Sequence, residues 1–551
     1  MHSLATNNVN DLVFLKPEIK LEPLVCKFYA WPHLVSPAQL AMNITYRLLP
    51  LLESFAANPN VHVAANEDPA MFGGPFVCLT EADVARVREI IDETRVGCAD
   101  LIKLAQDLKS LDANLQANAS GFSLSDYYAN LPESLRGLVE VLYDINQRPS
   151  VRIFESFLYQ DDVASQAHEI LMTPVAEGDR HFFMSTPRLG SPDSLSFKMK
   201  FSDKRLDRLS HMRTRAASFG DISRLMEVQE DDLPVFRNFF TSTPPQANGA
   251  QEYAGDGVRV RYFGHACVLV QTADVCVLFD PMLALEQKGD GRLTFNDLPE
   301  HIDYVVLTHC HQDHLCPEML IQLRHRVGRV IVPASNSGCI TDPSMKLIMR
   351  ELGYERIETL EPFDSVDIPG GDMLSFPFTG EHSDLNIYSK QSILLQLKGR
   401  KFMFLVDSDG RDEALYQRLM RRFSAVDAVF LGMECDGAPL TWLYEPLLTK
   451  AINRRNNESR RLSGADCARA WNVMKEIDAP QAFIYAMGQE PWLRYLMGLE
   501  YNPDSVQLIE SNQFIEKCQQ SGIDAERLFL SRELEYTPTA QYAPLPQKEA
   551  A

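Results

Sequence analysis

The sequence predicts an α/β protein in two parts, and three observations carry that reading. Thr241-Ser-Thr-Pro-Pro-Gln-Ala-Asn-Gly-Ala250, continuing to Gly257, is rich in Pro, Gly and polar residues and divides the 551 residues into two differently patterned halves. After it, short apolar runs alternate with helical periods, the pattern of an α/β layer. Before it, helical periods dominate. The expected organisation is an N-terminal α/β domain over 1–245, a linker over 246–257, a C-terminal domain over 258–535 and a flexible tail over 536–551, where Pro538, Pro544 and Pro546 oppose regular structure.

In the first half the apolar spacing predicts helices over roughly 37–57, 80–95, 97–117 and 132–146, with Thr80 and Asp83 capping the second. Val151-Arg-Ile-Phe-Glu-Ser-Phe-Leu158 alternates as a strand does. This half holds no metal cluster, glycine phosphate loop or nucleophile elbow, so its residues name no chemistry. In the second half Arg329-Val-Ile-Val-Pro333 and Ser392-Ile-Leu-Leu-Gln-Leu397 read as strands, and 317–327, 411–423 and 464–477 as helices.

The chemistry concentrates where Val305-Val306-Leu307, a buried-strand pattern, runs into Thr308-His-Cys-His-Gln-Asp-His314. A rigid strand end lets its following residues fan out, and residues two apart point to one side. His309 and His311 can therefore share one ion while Asp313 and His314 reach a neighbour. Imidazole suits zinc, copper, iron and nickel, whereas carboxylate oxygen suits harder ions, so the mixed set fits a two-metal site. Cys310 and Cys316 flank this turn and read as small buried fillers.

Further donors lie downstream. The Thr308–His314 turn resembles the signature of the metallo-β-lactamase fold, and that resemblance implies a third ligand within Phe376-Pro-Phe-Thr-Gly-Glu-His-Ser-Asp384, either Glu381 or His382, and a bridging Asp at the end of the apolar run in Lys401-Phe-Met-Phe-Leu-Val-Asp-Ser-Asp409, at Asp407. Asp409 is the weaker candidate, in a Ser-Asp-Gly turn. His382 is the last histidine of the chain, so any later ligand is a carboxylate: Glu434 or Asp436 after Ala428-Val-Phe-Leu431, or Glu490. Carboxylates among these donors would shift the site from nitrogen toward oxygen and favour oxygen-binding iron over zinc.

A formal charge of −22, from 53 basic and 75 acidic residues, argues against a nucleic-acid enzyme, which needs a basic face. Eleven scattered cysteines form no disulfide framework and indicate a reducing cytoplasm. No long apolar span and no signal-peptide pattern occurs, so neither a membrane nor export is expected.

Thr308–His314 resembles the Thr-His-x-His-x-Asp-His signature of the metallo-β-lactamase fold, and Arg261–Val270 with Val277–Pro281 is similar to the two strands preceding it. The resemblance runs from near 258 to near 535 and implies an αββα sandwich with metals at one edge of its sheets. That scaffold hosts hydrolases, nucleases and oxygen-reducing enzymes, so it leaves the reaction open. The Gly380-Glu381-His382 pattern, the missing C-terminal His and the large N-terminal region together resemble one family, the di-iron β-hydroxylases of nonribosomal peptide assembly lines, whose best-known type serves chloramphenicol biosynthesis. Membership would make His309, His311, Asp313, His314, Glu381 and bridging Asp407 the ligands of two iron ions joined also by an oxo or hydroxo group, with Glu434 near the metals and Glu381 and Asp407 acting in catalysis. It implies O2-dependent hydroxylation of the β-carbon of an amino acid tethered as a thioester to a peptidyl carrier domain, with an external electron donor and a homodimer formed through the N-terminal domain. Docking an acidic carrier would call on Lys198, Lys200, Lys204, Arg205, Arg208, Arg213 and Arg215, or on Arg454, Arg455, Arg460 and Arg461, although a solvated surface explains each stretch more simply. Trp442 and Trp492 are candidate pocket aromatics that packing explains as well. Two other readings stand beside this one. One is a zinc or manganese hydrolase of a lactone, phosphodiester or thioester, favoured if His382 is the ligand; the other is a non-catalytic carrier-binding scaffold.

Overall fold

The computed structural model describes residues 11–174, 180–285, 291–336, 338–380 and 385–539. The first half is more β-rich than its sequence pattern predicts. β1 (Leu12–Leu15) runs between β8 (Ala217–Ser218) and β9 (Phe240–Thr241). β2 (Ile19–Val25) pairs with β3 (Phe28–Tyr29) and β6 (His168–Pro174), and β7 (Leu195–Lys198) flanks β6. β4 (Val139–Tyr143) and β5 (Pro149–Ile153) form a hairpin.

That hairpin corrects two expectations. The region 132–146 is not a helix, because Val139-Glu-Val-Leu-Tyr143 also alternates and finds a strand partner, leaving only the turn Glu133–Leu135 helical. The strand expected over 151–158 stops at Ile153 and becomes the helix Glu155–Gln160. The other helices form: Pro37–Asn43 and Leu49–Ala57 joined through a π-helical turn at Ile44–Leu48, then Val84–Gly97 and Ala99–Asn118. Asp83 accepts from the Thr80 backbone N–H at 2.9 Å, closing the predicted capping box.

The second half folds into two seven-stranded sheets. The first runs β15 (Ile357–Leu360), β14 (Val327–Pro333), β13 (Ile302–Val306), β12 (Cys276–Phe279), β11 (Val268–Gln271), β10 (Val258–Tyr262) and β23 (Arg532–Tyr536). The second runs β16 (Ser365–Ile368), β17 (Gly371–Phe376), β18 (Ser392–Leu397), β19 (Arg400–Val406), β20 (Ala428–Gly432), β21 (Gln481–Tyr485) and β22 (Asp524–Arg527). β12 to β15 pair in parallel, as do β19 to β22.

Inward side chains of the two sheets make one apolar layer, in which Phe279 stacks on Phe404 at 4.0 Å and Phe404 on Phe430 at 4.8 Å. The outer face of the second sheet is covered by helices Glu413–Phe423, Cys467–Ile477 and Val506–Gln520. Helices Pro317–Leu323 and Met345–Glu351 cover the first sheet and share its core with the N-terminal half. This is the αββα sandwich with a mixed α/β region ahead of it. The strands are buried on both faces and so read as continuous apolar runs.

Helix Pro317–Leu323, which leaves the metal turn, is buried along its whole length and packs on β2 and on helix Arg205–His211. Arg180 joins these layers by donating at 2.6 Å to both Glu22 of β2 and Glu318 of that helix. Among the described residues, no helix is long and apolar enough to cross a membrane.

Candidate metal centre

Parallel strands bring their carboxyl ends to one edge, and the polar residues after those ends converge there. His265 follows β10, Asp280 follows β12, His309 to His314 follow β13, Asp407 follows β19 and Glu434 follows β20. Two features aim them. Gly264 has φ +104°, and a Cβ there would sit 2.5 Å from the Trp492 ring, so this position accepts only glycine. Val406 has φ +53° at a register shift in β19, a bulge that turns the strand end before Asp407.

Six side chains form two triads, His309 with His311 and Asp407, and His265 with Asp313 and His314, in each of which the ligand atoms lie within 4.8 Å of one another. Asp407 stands between the triads. Its Oδ2 is 3.3 Å from Nε2 of His309 and 3.3 Å from Nε2 of His314. The other members turn their donors inward without closing them off: His314 Nε2 and Asp313 Oδ1 are buried and make no hydrogen bond among the described residues. Leaving such atoms unpaired in an interior is costly, so their convergence fits a centre that takes cations there.

The surrounding hydrogen bonds fix which atoms face the centre. His314 Nδ1 donates to Asp280 Oδ2 at 2.8 Å, which leaves Nε2 as the coordinating lone pair. Asp280 is itself fixed by Thr308, whose backbone N–H and hydroxyl donate to it at 2.8 and 2.6 Å. His265 accepts from the Gly488 backbone N–H at Nδ1, so its proton sits on Nε2 and is donated to Asp313 Oδ2 at 3.0 Å. His265 therefore orients Asp313.

The electrostatics follow from crowding charged groups in a dry place. Burial opposes charge on His314, but the carboxylates of Asp407, Asp313 and Asp280 outweigh it and hold the imidazole well above its ordinary range. Burial likewise works against ionised Asp313 and Asp407, yet His314 and the other imidazoles keep both well below the usual carboxylate range. Burial, and then the positive field of His309, pushes His311 down to about 3. Glu434 is pushed well above the usual range by burial and then by Asp313 and Asp407, which places its carboxyl within electrostatic reach of both.

The sequence candidates sort as follows. His309, His311, Asp313, His314 and Asp407 come together. Glu381 and His382 lie outside the described residues, but the chain leading into them is fastened to the Asp407 strand end: Gly380 bridges Ser408, and Thr379 O accepts from Asp409 N at 3.0 Å. Asp409 is a fully buried turn carboxylate paired with Arg411. Asp436 pairs with Arg461 at 2.9 Å, and Glu490 is buried and accepts from the Tyr262 hydroxyl, so one oxygen of each already has a partner, and neither residue belongs to a triad. Cys316 contacts the Tyr29 hydroxyl at 3.3 Å as a buried filler. Trp442 donates to Gly73 O at 3.0 Å and packs on Phe182 and Phe183, whereas Trp492 packs beneath Arg292.

Sequence reasoning passed over His265 and Asp280, which lie 48 and 34 residues from their partners. Their one signal is position: each is the polar residue just past an apolar strand.

It also passed over a clamp beside the first triad. The buried carboxylate of Asp342 accepts from the backbone N–H groups of Asn336 and Tyr388, both at 2.9 Å, and from the backbone and hydroxyl of Ser389. Gln391 continues that segment onto the metal strand, donating from its backbone to Thr308 O and from its side chain to Leu307 O. From the N-terminal half, Glu155 fastens the same loop by accepting from Gly338 N and Ser344 N, each at 3.1 Å.

Comparison with known proteins gives these arrangements a family context. The family described as the diiron non-heme beta-hydroxylase N-terminal domain matches residues 14–244, and a beta-lactamase superfamily domain matches 259–385. The chain is 31% identical over 527 residues to the 4-amino-L-phenylalanyl-[CmlP-peptidyl-carrier-protein] 3-hydroxylase of Streptomyces venezuelae, covering 94% of this chain and 99% of that protein. It superposes on the crystal structure of CmlA, a diiron beta-hydroxylase from Streptomyces venezuelae, with TM-score 0.89 and 30% identity, over 95% of this chain and 99% of that one. A metal-dependent hydrolase of Christiangramia forsetii is 22% identical over 26% of this chain and 66% of its own.

Proposed function

Because the chain belongs to the diiron non-heme β-hydroxylase family, we propose that it hydroxylates the β-carbon of an amino acid held as a thioester on a nonribosomal peptide synthetase carrier domain, in the biosynthesis of an antibiotic. The observation that carries this to the atomic level is Asp407, whose single oxygen stands 3.3 Å from an imidazole of each ligand group. The set of imidazole and carboxylate donors suits iron. His309 and His311 would hold one ion, Asp313 and His314 the other, with Asp407 as the bridge and Glu381 as the exchangeable carboxylate. Two irons held there would supply dioxygen activation, with electrons from an external donor.

The protein's own part is positioning. Asp280 keeps the His314 proton on Nδ1, and His265 holds Asp313 by its other oxygen, so each donor is oriented before a metal arrives. Near-complete burial of the four residues from 309 to 314 that face the centre keeps water from competing with substrate. A carboxylate at Glu381 can change between one-oxygen and two-oxygen binding, where imidazole would keep its position filled. Glu434, whose carboxyl feels the charge of both Asp313 and Asp407, is a further oxygen donor for the centre. A tethered substrate arrives at high effective concentration with one C–H oriented.

The same reading divides the chain into an N-terminal domain over 1–245 that shapes substrate access and builds a homodimer, a linker over 246–257, a catalytic domain over 258–535 and a tail from 536, although Tyr536 still pairs with Val258 in β23 and Thr539 still bonds to Lys398 O. Eleven cysteines, none in a disulfide, support cytoplasmic residence. Metal content and the optical spectrum of protein from iron-supplemented cells test the core of the proposal. Two irons per chain, with visible absorption that bleaches on chemical reduction, are expected. Two tightly held zincs and no visible band would replace the oxygenase with a hydrolase.

A further inference from the structure

The basic stretch from Lys198 to Arg215 separates into two kinds of residue. Lys200 pairs with Asp162, Lys204 with Asp207 at 3.8 Å, and Arg205 with Asp203 at 2.7 Å and Glu227 at 3.2 Å. Arg213 has no carboxylate within ion-pair distance among the described residues. It is 3% exposed and spends its guanidinium on neutral acceptors, Gln322 Oε1 at 2.7 and 3.0 Å and Ile19 O at 2.7 Å.

Arg326, just beyond the helix that leaves the metal turn, is in the same condition. It is 5% exposed, makes one long bond to Pro299 O at 3.4 Å, leaves Nε with no hydrogen bond, and has no acidic partner among the described residues. Both guanidiniums border one cavity of about 360 Å³, together with Arg215, Gln251 and Asn296. Its single carboxylate, Glu300, is taken by Arg215.

Two buried guanidiniums that line one cavity with no carboxylate in ion-pair contact, in a chain carrying −22, need an explanation, since carboxylates are abundant elsewhere. The neighbouring histidines sense the same field. His211 and His325, with rings 5.2 Å apart, are both held below the ordinary imidazole value, first by burial and then by nearby arginines that include Arg326. The planar guanidinium of Arg326, whose Nε makes no hydrogen bond among the described residues, matches the oxygens of a phosphate group two at a time, and the volume falls in the range of small-ligand sites.

We propose that this cavity binds a phosphate group, free or as the end of a small phosphate ester, between Arg213, Arg215 and Arg326. Its walls come from three parts of the chain: residues 213–215 of the first half, residues 245–251 of the connecting stretch, and residues 296–300 with Arg326 of the second half. An occupant would therefore tie the two halves together at their junction and stabilise the assembled chain by mass action.

The test is calorimetric titration of the full chain, at constant ionic strength, with inorganic phosphate and separately with pantetheine 4′-phosphate. Saturable binding of at least one probe, weakened about tenfold or more in Arg326→Gln, is expected. Tighter binding of the ester identifies a phosphate ester as the occupant, and equal or tighter binding of inorganic phosphate identifies the free ion. If Arg326→Gln fails to fold, Arg215→Gln at the cavity rim takes its place with the same expectation. Absence of saturable binding by both probes, or binding unchanged in the variant that folds, overturns the site.

Discussion

Asp280 accepts the Nδ1 proton of His314 at 2.8 Å, and that one bond decides which nitrogen of His314 faces the metal centre. Asp280 is 1% exposed and follows β12, so a residue remote in sequence sets the chemistry of the metal turn. Asp280→Ala frees the ring to rotate or change tautomer. Metal affinity at the His314 ion should fall by about 10–100-fold, read by competition with a chelator.

Asp407 Oδ2 lies 3.3 Å from an imidazole of each group. Asp407→Ala should lower metal content from two ions per chain to one or none; retention of two would remove it as the bridge. Glu381→His, which adds an imidazole, should raise zinc uptake relative to iron and suppress hydroxylation. Full iron loading with unchanged turnover would exclude Glu381 as a ligand.

Asp342 gathers four donors from two loops, so truncating it strands the buried Ser389 N–H, at about 1–3 kcal/mol, and frees the half-buried N–H groups of Asn336 and Tyr388. Asp342→Ala should speed hydrogen exchange at residues 385–391 while β18 and β19 stay protected. Mass spectrometry of the exchanged peptides reads this directly, and uniform exchange across the sheet would show global loosening in place of a local clamp.

His168 gives a pH signature independent of the metals. It is 2% exposed and stacked on Phe201 at 3.9 Å, with neither ring nitrogen hydrogen-bonded, and burial pushes its pKa down to about 3 against the effect of nearby Asp162. Between about pH 6.5 and 3 the unfolded chain binds this proton and the folded chain does not, so stability falls as pH drops through that window, by about 1.4 kcal/mol per unit. His168→Phe keeps the stack and removes the proton. Its denaturation midpoint should be unchanged or higher at pH 7 and decline less steeply with acid. His33 and His325, also held at about 3, will retain the remaining slope.

The metal turn was legible because its donors are contiguous: one strand end delivers four ligand-type residues in six positions, and local spacing alone brings them together. Asp407 was legible for a related reason, being the polar stop of an apolar run. Asp436 and Glu490 look identical to it by that criterion, and only their partners, Arg461 and Tyr262, distinguish them. In the first half, periodicity misjudged 132–146 because a short alternating run has no decisive pattern until its partner Pro149–Ile153 is found. β2 escaped notice because both of its faces are buried, with Lys20 and Glu22 inside, where pairing of Glu22 with Arg180 replaces alternation.

By itself, then, the sequence determined the α/β class of the second half, the kind of donor at the site and a mixed nitrogen and oxygen centre, since these depend on local periodicity and on side-chain chemistry. The tertiary structure decided the rest: that His265 and Asp280 serve as supports, that Asp407 stands between the two groups, and that Arg213 and Arg326 share a cavity whose one lining carboxylate, Glu300, pairs with Arg215. Such relations depend on which strand ends and helix ends become neighbours, and that is set by the packing of whole sheets, for which the spacing of residues along one strand holds no information.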